Sequence, residues 1–107
     1  MDSPEAPKTA PTVTLEPATA GDVPRLVAWT RDFYAHEGIP FDPDRSSLTL
    51  RELLDHPDYG RVWTIVREGR PAGYAVVALG FSLEFGGRSA FLDELYVEPA
   101  SRGAGIG

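Results

Sequence analysis

The first regular signal along the chain is an alternation. Thr12-Val13-Thr14-Leu15-Glu16 puts polar and apolar side chains on opposite sides of an extended backbone, and Pro17 is expected to end that strand. After Asp22 the period lengthens. Val23, Leu26, Val27, Thr30 and Tyr34 fall on one face of a helix. Asp22 is the expected cap, Pro24 suits the first turn, and Gly38 with Pro40 marks the stop. The stretch 39–45, with Pro40 and Pro43, is expected to be a loop. Ser46 or Ser47 would then cap a shorter helix carrying Leu50, Leu53 and Leu54, with Pro57 just past its end.

From Arg61 the period is two again. Val62–Val66 reads as a strand and 68–71 as a turn. Ala72–Phe85 reads as a long strand with Gly80 the expected place for a bend. Gly86-Gly87 reads as a two-residue hairpin, and Ser89–Val97 as the returning strand. The order β-α-α-β-β-β, with helices early and a meander after them, predicts an α+β domain rather than a doubly wound parallel sheet. Residues 1–11 hold three prolines and almost no large apolar side chain, so they are expected to form a flexible tail, with the domain spanning 12–107.

Composition narrows the chemistry. With no cysteine among 107 residues, disulfides, thiolate metal sites and a cysteine nucleophile are excluded. Lys8 is the only lysine and lies in the tail, which argues against a Schiff-base or P-loop lysine. The net charge of −6 and the scattered arginines leave no basic face for nucleic acid, and mildly favour a cationic substrate. His36 and His56 sit near helix ends and form no metal site. Trp29, Phe33 and Trp63 read as core aromatics. The first residues lack a basic and apolar leader, and no apolar run approaches the roughly 18 residues of a membrane span, so a cytoplasmic protein with no membrane partner is expected.

The chemistry is concentrated at the end of the chain, from Phe91 to Gly107. A strand there runs into a loop with glycines at 103, 105 and 107. Bare backbone N–H groups ahead of a helix suit a phosphate or pyrophosphate. No Gly-Lys-Ser/Thr follows, so this is not a P-loop. The glycine spacing and the preceding hairpin also do not match a dinucleotide fingerprint.

Arg102-x-x-Gly105-x-Gly107 resembles the Arg/Gln-x-x-Gly-x-Gly/Ala signature of the GNAT superfamily of acyl-CoA N-acyltransferases. Leu-Asp-Glu-Leu-Tyr-Val-Glu-Pro before it resembles that family's fourth strand, and the order of elements agrees over 12–107. The resemblance implies a partial GNAT fold, with a mixed, mainly antiparallel sheet lacking its C-terminal half, and acetyl-CoA as cosubstrate. The backbone of Leu95, Tyr96 and Val97 would pair with the pantetheine arm. A backbone N–H there, that of Tyr96 being one choice, would polarise the thioester carbonyl. The N–H groups of Arg102, Gly103, Ala104, Gly105, Ile106 and Gly107 would hold the pyrophosphate.

Direct transfer to a primary amine needs a base, since an amine with pKa near 10 is mostly protonated at neutral pH. Asp93 and Glu94 are adjacent, so on a regular strand they face opposite ways. The resemblance favours Asp93, acting through water, with Glu94 the alternative. A solvated acid, or one paired with Arg88, is the bland reading of either. Ser82 and Glu84, two apart on the preceding strand, would share a face and line the acceptor pocket, and Tyr34 would border it. Packing or ordinary strand roles are the alternatives for these three. An acyl-CoA-binding or regulatory module without catalysis is the competing function, and a plain interaction domain the third.

The resemblance also implies a further helix and strands after Gly107. Without them the 89–97 strand would expose an edge, so the chain is expected either to be a fragment whose second half was cleaved or to form a homodimer through that edge, and transfer by the chain alone would be weak or absent.

Overall fold

The computed structural model describes residues 12–102. The elements are β1 (Val13–Pro17), α1 (Val23–Glu37), α2 (Pro43–Asp55), β2 (Gly60–Arg67), β3 (Arg70–Ser82) and β4 (Gly87–Val97). Short 3-10 turns at Ala20–Asp22 and Pro99–Ser101 precede α1 and follow β4. The strands lie in the order β1-β2-β3-β4, and every pairing among the described residues is antiparallel. The fold is α+β, as the hydrophobic pattern predicts. The expected tail at 1–11 lies outside the described residues.

Several boundaries differ from the sequence expectation, each for a local reason. Pro17 stays within β1 opposite Trp63, at the end of an edge strand where its missing N–H is tolerated. Asp22 takes the N-cap position of α1, but its side chain makes no capping hydrogen bond to that helix. Its carboxylate turns back to the Thr19 N–H at 2.8 Å and holds Arg25 at 2.8 Å. The second helix starts at Pro43, not after Ser46, because the Asp42 carboxylate accepts the Asp44 and Arg45 N–H groups and Pro43 takes the first helical position. The last hairpin turns through Leu83–Gly86 rather than Gly86-Gly87, since Ser82 already pairs with Gly87. The β3–β4 irregularity falls at Val76/Val77 rather than at Gly80.

The core forms where one sheet face meets the two helices. Leu26 and Trp29 of α1 and Leu50 of α2 pack on Val62, Tyr74, Val76 and Tyr96. Tyr74 is stacked between neighbours, with ring centroids 6.3 Å from Trp29 and 5.9 Å from Tyr96. Phe33 meets Tyr74 edge-on at 6.5 Å. Such pairs add about 0.5–1.5 kcal/mol each beyond their burial. They anchor α1 against β3 and β4 and so fix the distance across which the site is built. Gly73 lets β3 approach β4 here, because a Cβ at that position would collide with the Tyr96 carbonyl oxygen.

Candidate functional site

A single bulge decides which acid faces the helices. Val77 pairs with Leu92 and Val76 with Glu94, so Asp93 is an extra residue on β4. Before the bulge, Phe91 lies opposite Ala78 and shares the face of Val76 and Tyr74. Unbroken alternation would bring Asp93 to that face. The extra residue reverses the parity, so Glu94 and Tyr96 take it instead. Asp93 is left exposed, while Glu94 is half-buried.

Two phenols hold the Glu94 carboxylate. Tyr34 of α1 donates to Oε2 at 2.7 Å, and Tyr74 of β3 donates to Oε1 at 2.9 Å. Burial pushes the Tyr34 hydroxyl up to about 12, and the hydrogen bond to Glu94 and the charges of Glu94 and Asp93 add to this, while Arg45 opposes it. Burial also raises Tyr74, which is fully enclosed, with Glu94 contributing further. Both phenols therefore stay protonated at neutral pH and act as donors to the carboxylate. Each carboxylate oxygen keeps a second lone-pair direction for another donor.

The edge of β4 that no described strand covers lies beside this trio. The Glu98 N–H donates to the Ala72 carbonyl. Given the register, this makes Tyr74 and Tyr96 a hydrogen-bonded pair, with the Tyr96 backbone groups directed at β3. The N–H and C=O groups of Leu95 and Val97 therefore point outward. This corrects the expectation for Tyr96, whose N–H is used within the sheet. Arg102 Nε donates to the Val97 carbonyl at 2.6 Å, and its guanidinium lies 5.4 Å from the Tyr96 ring centroid. Trp29 Nε1 donates to Glu98 Oε2 at 2.8 Å, which ties the end of β4 to α1.

Two cavities flank the trio. One of about 340 Å³ runs between Phe33, His36 and Glu37 of α1 and the Leu95–Val97 edge, closed by Arg102. The other, about 510 Å³, opens on Tyr34 and is lined by Ile39, Pro40, Phe41 and Arg45 among others. Tyr34 belongs to the second cavity and bonds Glu94, so it links the outer pocket to the carboxylate.

The structure thus brings Tyr34, Glu94, Leu95, Tyr96, Val97 and Arg102 into one neighbourhood. It does not bring in Ser82 and Glu84. Glu84 lies in the turn rather than on a strand, so the expected shared face does not form, and the Ser82 hydroxyl accepts the Phe85 N–H at 3.1 Å. Ser82 is six residues along β3 from the level of Glu94, about 20 Å away. Gly103, Ala104, Gly105, Ile106 and Gly107, expected at the pyrophosphate, lie outside the described residues. Tyr74 was missed in the sequence. Its signal was a phenol on a core strand, which needs a partner for its hydroxyl when buried. Among the described residues there is no acid, histidine or cysteine cluster suited to a metal, and no helix is long and apolar enough to cross a membrane.

Comparison with known proteins gives a consistent result. A family model described as the acetyltransferase (GNAT) family matches residues 24–107. No curated protein matches the chain. Among solved structures, an integron cassette protein, HFX_CASS3, from the mobile metagenome of Cole Harbour Salt Marsh is 39% identical with a TM-score of 0.77, over 83% of this chain and 59% of its own. A possible acetyltransferase from Clostridium difficile 630 shares the fold at 17% identity and a TM-score of 0.79, over 88% of this chain and 62% of its own. A predicted acetyltransferase with acetyl-CoA from Clostridium acetobutylicum is similar at 20% identity and a TM-score of 0.71, over 89% and 66%. The chain therefore spans about three-fifths of the length of these proteins. It belongs to the GNAT acetyltransferase family, and the described residues carry the part of that fold running from its first strand through its fourth.

Proposed function

We propose that the protein transfers an acetyl group from acetyl-CoA directly to a primary amine, with this chain supplying the acceptor side and the β4 edge of the cosubstrate site. The observation that carries the reading is the Glu94 carboxylate, held by Tyr34 and Tyr74 beside a strand edge whose Leu95 and Val97 backbone groups point outward. The pantetheine arm would lie along that edge as an added strand. An outward N–H of Leu95 or Val97 would receive the developing oxyanion. The glycine loop Gly103–Gly107, with Arg102 ahead of it, would hold the pyrophosphate.

In the reaction the acceptor ammonium gives a proton to Glu94, directly or through a water. The free amine attacks the thioester carbon, the C–S bond breaks, and the proton that the new amide nitrogen gives up goes to the departing CoA thiolate, which leaves as the thiol. Glu94 is preferred over Asp93 because it faces the helix side with Tyr34, whereas Asp93 sits on the exposed bulge. Residues 1–107 contain no cysteine, so none of them could carry an acyl-cysteine intermediate. Use of acetyl-CoA fits a cytoplasmic setting.

The test is acetyl-CoA titration of this chain and of the full-length protein, read as melting temperature and as CoA release with a panel of amines. A ligand at a hundredfold excess over its Kd stabilises by about 2.7 kcal/mol. Stabilisation and transfer by the full-length protein support the reading. Stabilisation without transfer to any amine replaces it with an acyl-CoA-binding or regulatory module. No stabilisation of either sample rejects the cosubstrate.

A further inference from the structure

A base at Glu94 needs an acceptor that can reach it, and two cavities flank the carboxylate and its phenols. On the acetyl-transfer reading the pantetheine arm takes the one along the Leu95–Val97 edge. The other, about 510 Å³, is within the roughly 300–1,000 Å³ range of small-molecule sites and is lined by Tyr34. An occupant of it lies against the residue whose hydroxyl is 2.7 Å from the Glu94 carboxylate.

The connection between the helices shapes this cavity. Gly38 turns left-handed at the end of α1, and the Ile39 N–H returns to the Tyr34 carbonyl at 2.8 Å. Asp42 fixes the other end by accepting the Asp44 and Arg45 N–H groups. Between these anchors Phe41 meets the Tyr34 ring edge-on at 6.2 Å and, with Ile39, gives the cavity an apolar wall.

The charges that line the cavity belong to Asp42 and Arg45. The Asp42 carboxylate is engaged by the first turn of α2, where two N–H groups and the helix dipole balance it. Arg45 differs. The ion pairs among the described residues are Arg25–Asp22 and Arg31–Asp32, and Arg45 is in neither. Its positive charge also acts on the Tyr34 hydroxyl, against the charges of Glu94 and Asp93. A guanidinium therefore stands at the acceptor cavity of a chain whose net charge is −6.

We propose that the acceptor is a primary amine that also carries a carboxylate, an amino acid in the simplest case. Arg45 reads the carboxylate, Ile39 and Phe41 contact the apolar part, and the amine is directed at Glu94. This inference rests on the acetyl-transfer reading. A guanidinium and a carboxylate make a charge-assisted, two-pronged pair that an uncharged or cationic tail cannot make. Each charge of the acceptor then meets its opposite, Glu94 at one end and Arg45 at the other.

The test is transfer by the full-length protein to apolar amino acids and to the amines left when each loses its carboxylate, such as phenylalanine with phenethylamine and leucine with isoamylamine. The acid of each pair is expected to have a kcat/KM about tenfold higher or more, the worth of a hydrogen bond to a charged group. In R45Q that ratio is expected to fall to near one. R45E is expected to invert it and to favour 1,4-diaminobutane, whose second ammonium replaces the carboxylate. Both variants are expected to melt close to the native protein, since Arg45 is exposed. The ratio compares two substrates on one sample, so any loss of folded protein cancels from it. Transfer with equal kcat/KM for acid and amine, or a ratio that R45Q leaves unchanged, overturns this inference and leaves acetyl transfer standing. Transfer to neither member of any pair overturns the acetyl-transfer reading and this inference together.

Discussion

Replacing Glu94 by Gln separates the base from its surroundings. The two residues have nearly the same volume, so the half-buried position stays filled. Tyr34 and Tyr74 also keep polar partners, because a phenol donates to the amide oxygen and accepts from the amide nitrogen. Two charge-assisted hydrogen bonds become neutral ones, and a stability loss of about 1 kcal/mol is expected. The effect on rate should be much larger. A positioned general base contributes roughly 10²- to 10⁴-fold. Most of that should appear in kcat, with acetyl-CoA affinity unchanged, because the carboxylate is not on the outward edge of β4. The assay is CoA release followed with a thiol reagent, read against an enzyme-only blank. The residual E94Q rate should also rise about tenfold per pH unit towards the acceptor's own pKa near 10, because only the free-base amine then reacts. D93N should stay within about threefold of the native rate, since Asp93 is on the exposed bulge. If E94Q keeps a third or more of its kcat while D93N collapses, the assignment from the bulge parity is wrong.

Three further outcomes follow from the same geometry. Y74F removes one donor to Glu94 and should cost about 1–3 kcal/mol by chemical denaturation, as a buried acceptor loses a partner. It should also lower kcat more than it raises KM. Glu68 has φ of 52° beside Gly69 at 78°, the turn geometry in which Asn-Gly is preferred, so E68N should stabilise by roughly 0.5–1 kcal/mol, read as a higher melting temperature. In alkali, the folded state keeps protons on Tyr34, raised to about 12, and on Tyr74 above pH 10, where the unfolded chain gives them up. Bound protons then favour the folded state less as pH rises, so stability should fall above about pH 10. Y34F should flatten that fall between pH 10 and 12 in pH-dependent melts. A melting temperature level across that window would show that the phenols hold their protons no more tightly in the folded state than in the unfolded chain.

Much of this protein was legible in the chain because its signals are local. Alternation at Val13–Leu15 and Val62–Val66, helical spacing from Val23 to Tyr34, and Gly38 as a stop, which adopts φ of 74°, need only the backbone and its neighbours. The Arg102–Gly107 spacing pointed to the family for the same reason. Where the sequence reading slipped, two local signals competed. Asp42 outbid Ser46 and Ser47 as a cap because Pro43 follows it in the favoured first position. Gly86-Gly87 read as a two-residue turn, although strand pairing had closed at Ser82–Gly87 and left four residues in the loop.

The site itself was decided by tertiary structure. Adjacent acids on a strand must face opposite ways, but which of them faces the helices depends on register. The extra residue at Asp93 can be placed only against Val76 and Val77 of another strand. The same holds for Tyr74 and Tyr34, which are 20 and 60 residues from Glu94 in the chain yet within 3 Å of it in space. It also holds for Tyr96, whose N–H is directed inward by the β3 pairing. Local chemistry determined which elements form. The pairing of β4 with β3 and the packing of α1 determined which carboxylate meets which hydroxyls, because parity and proximity are properties of strands and helices together.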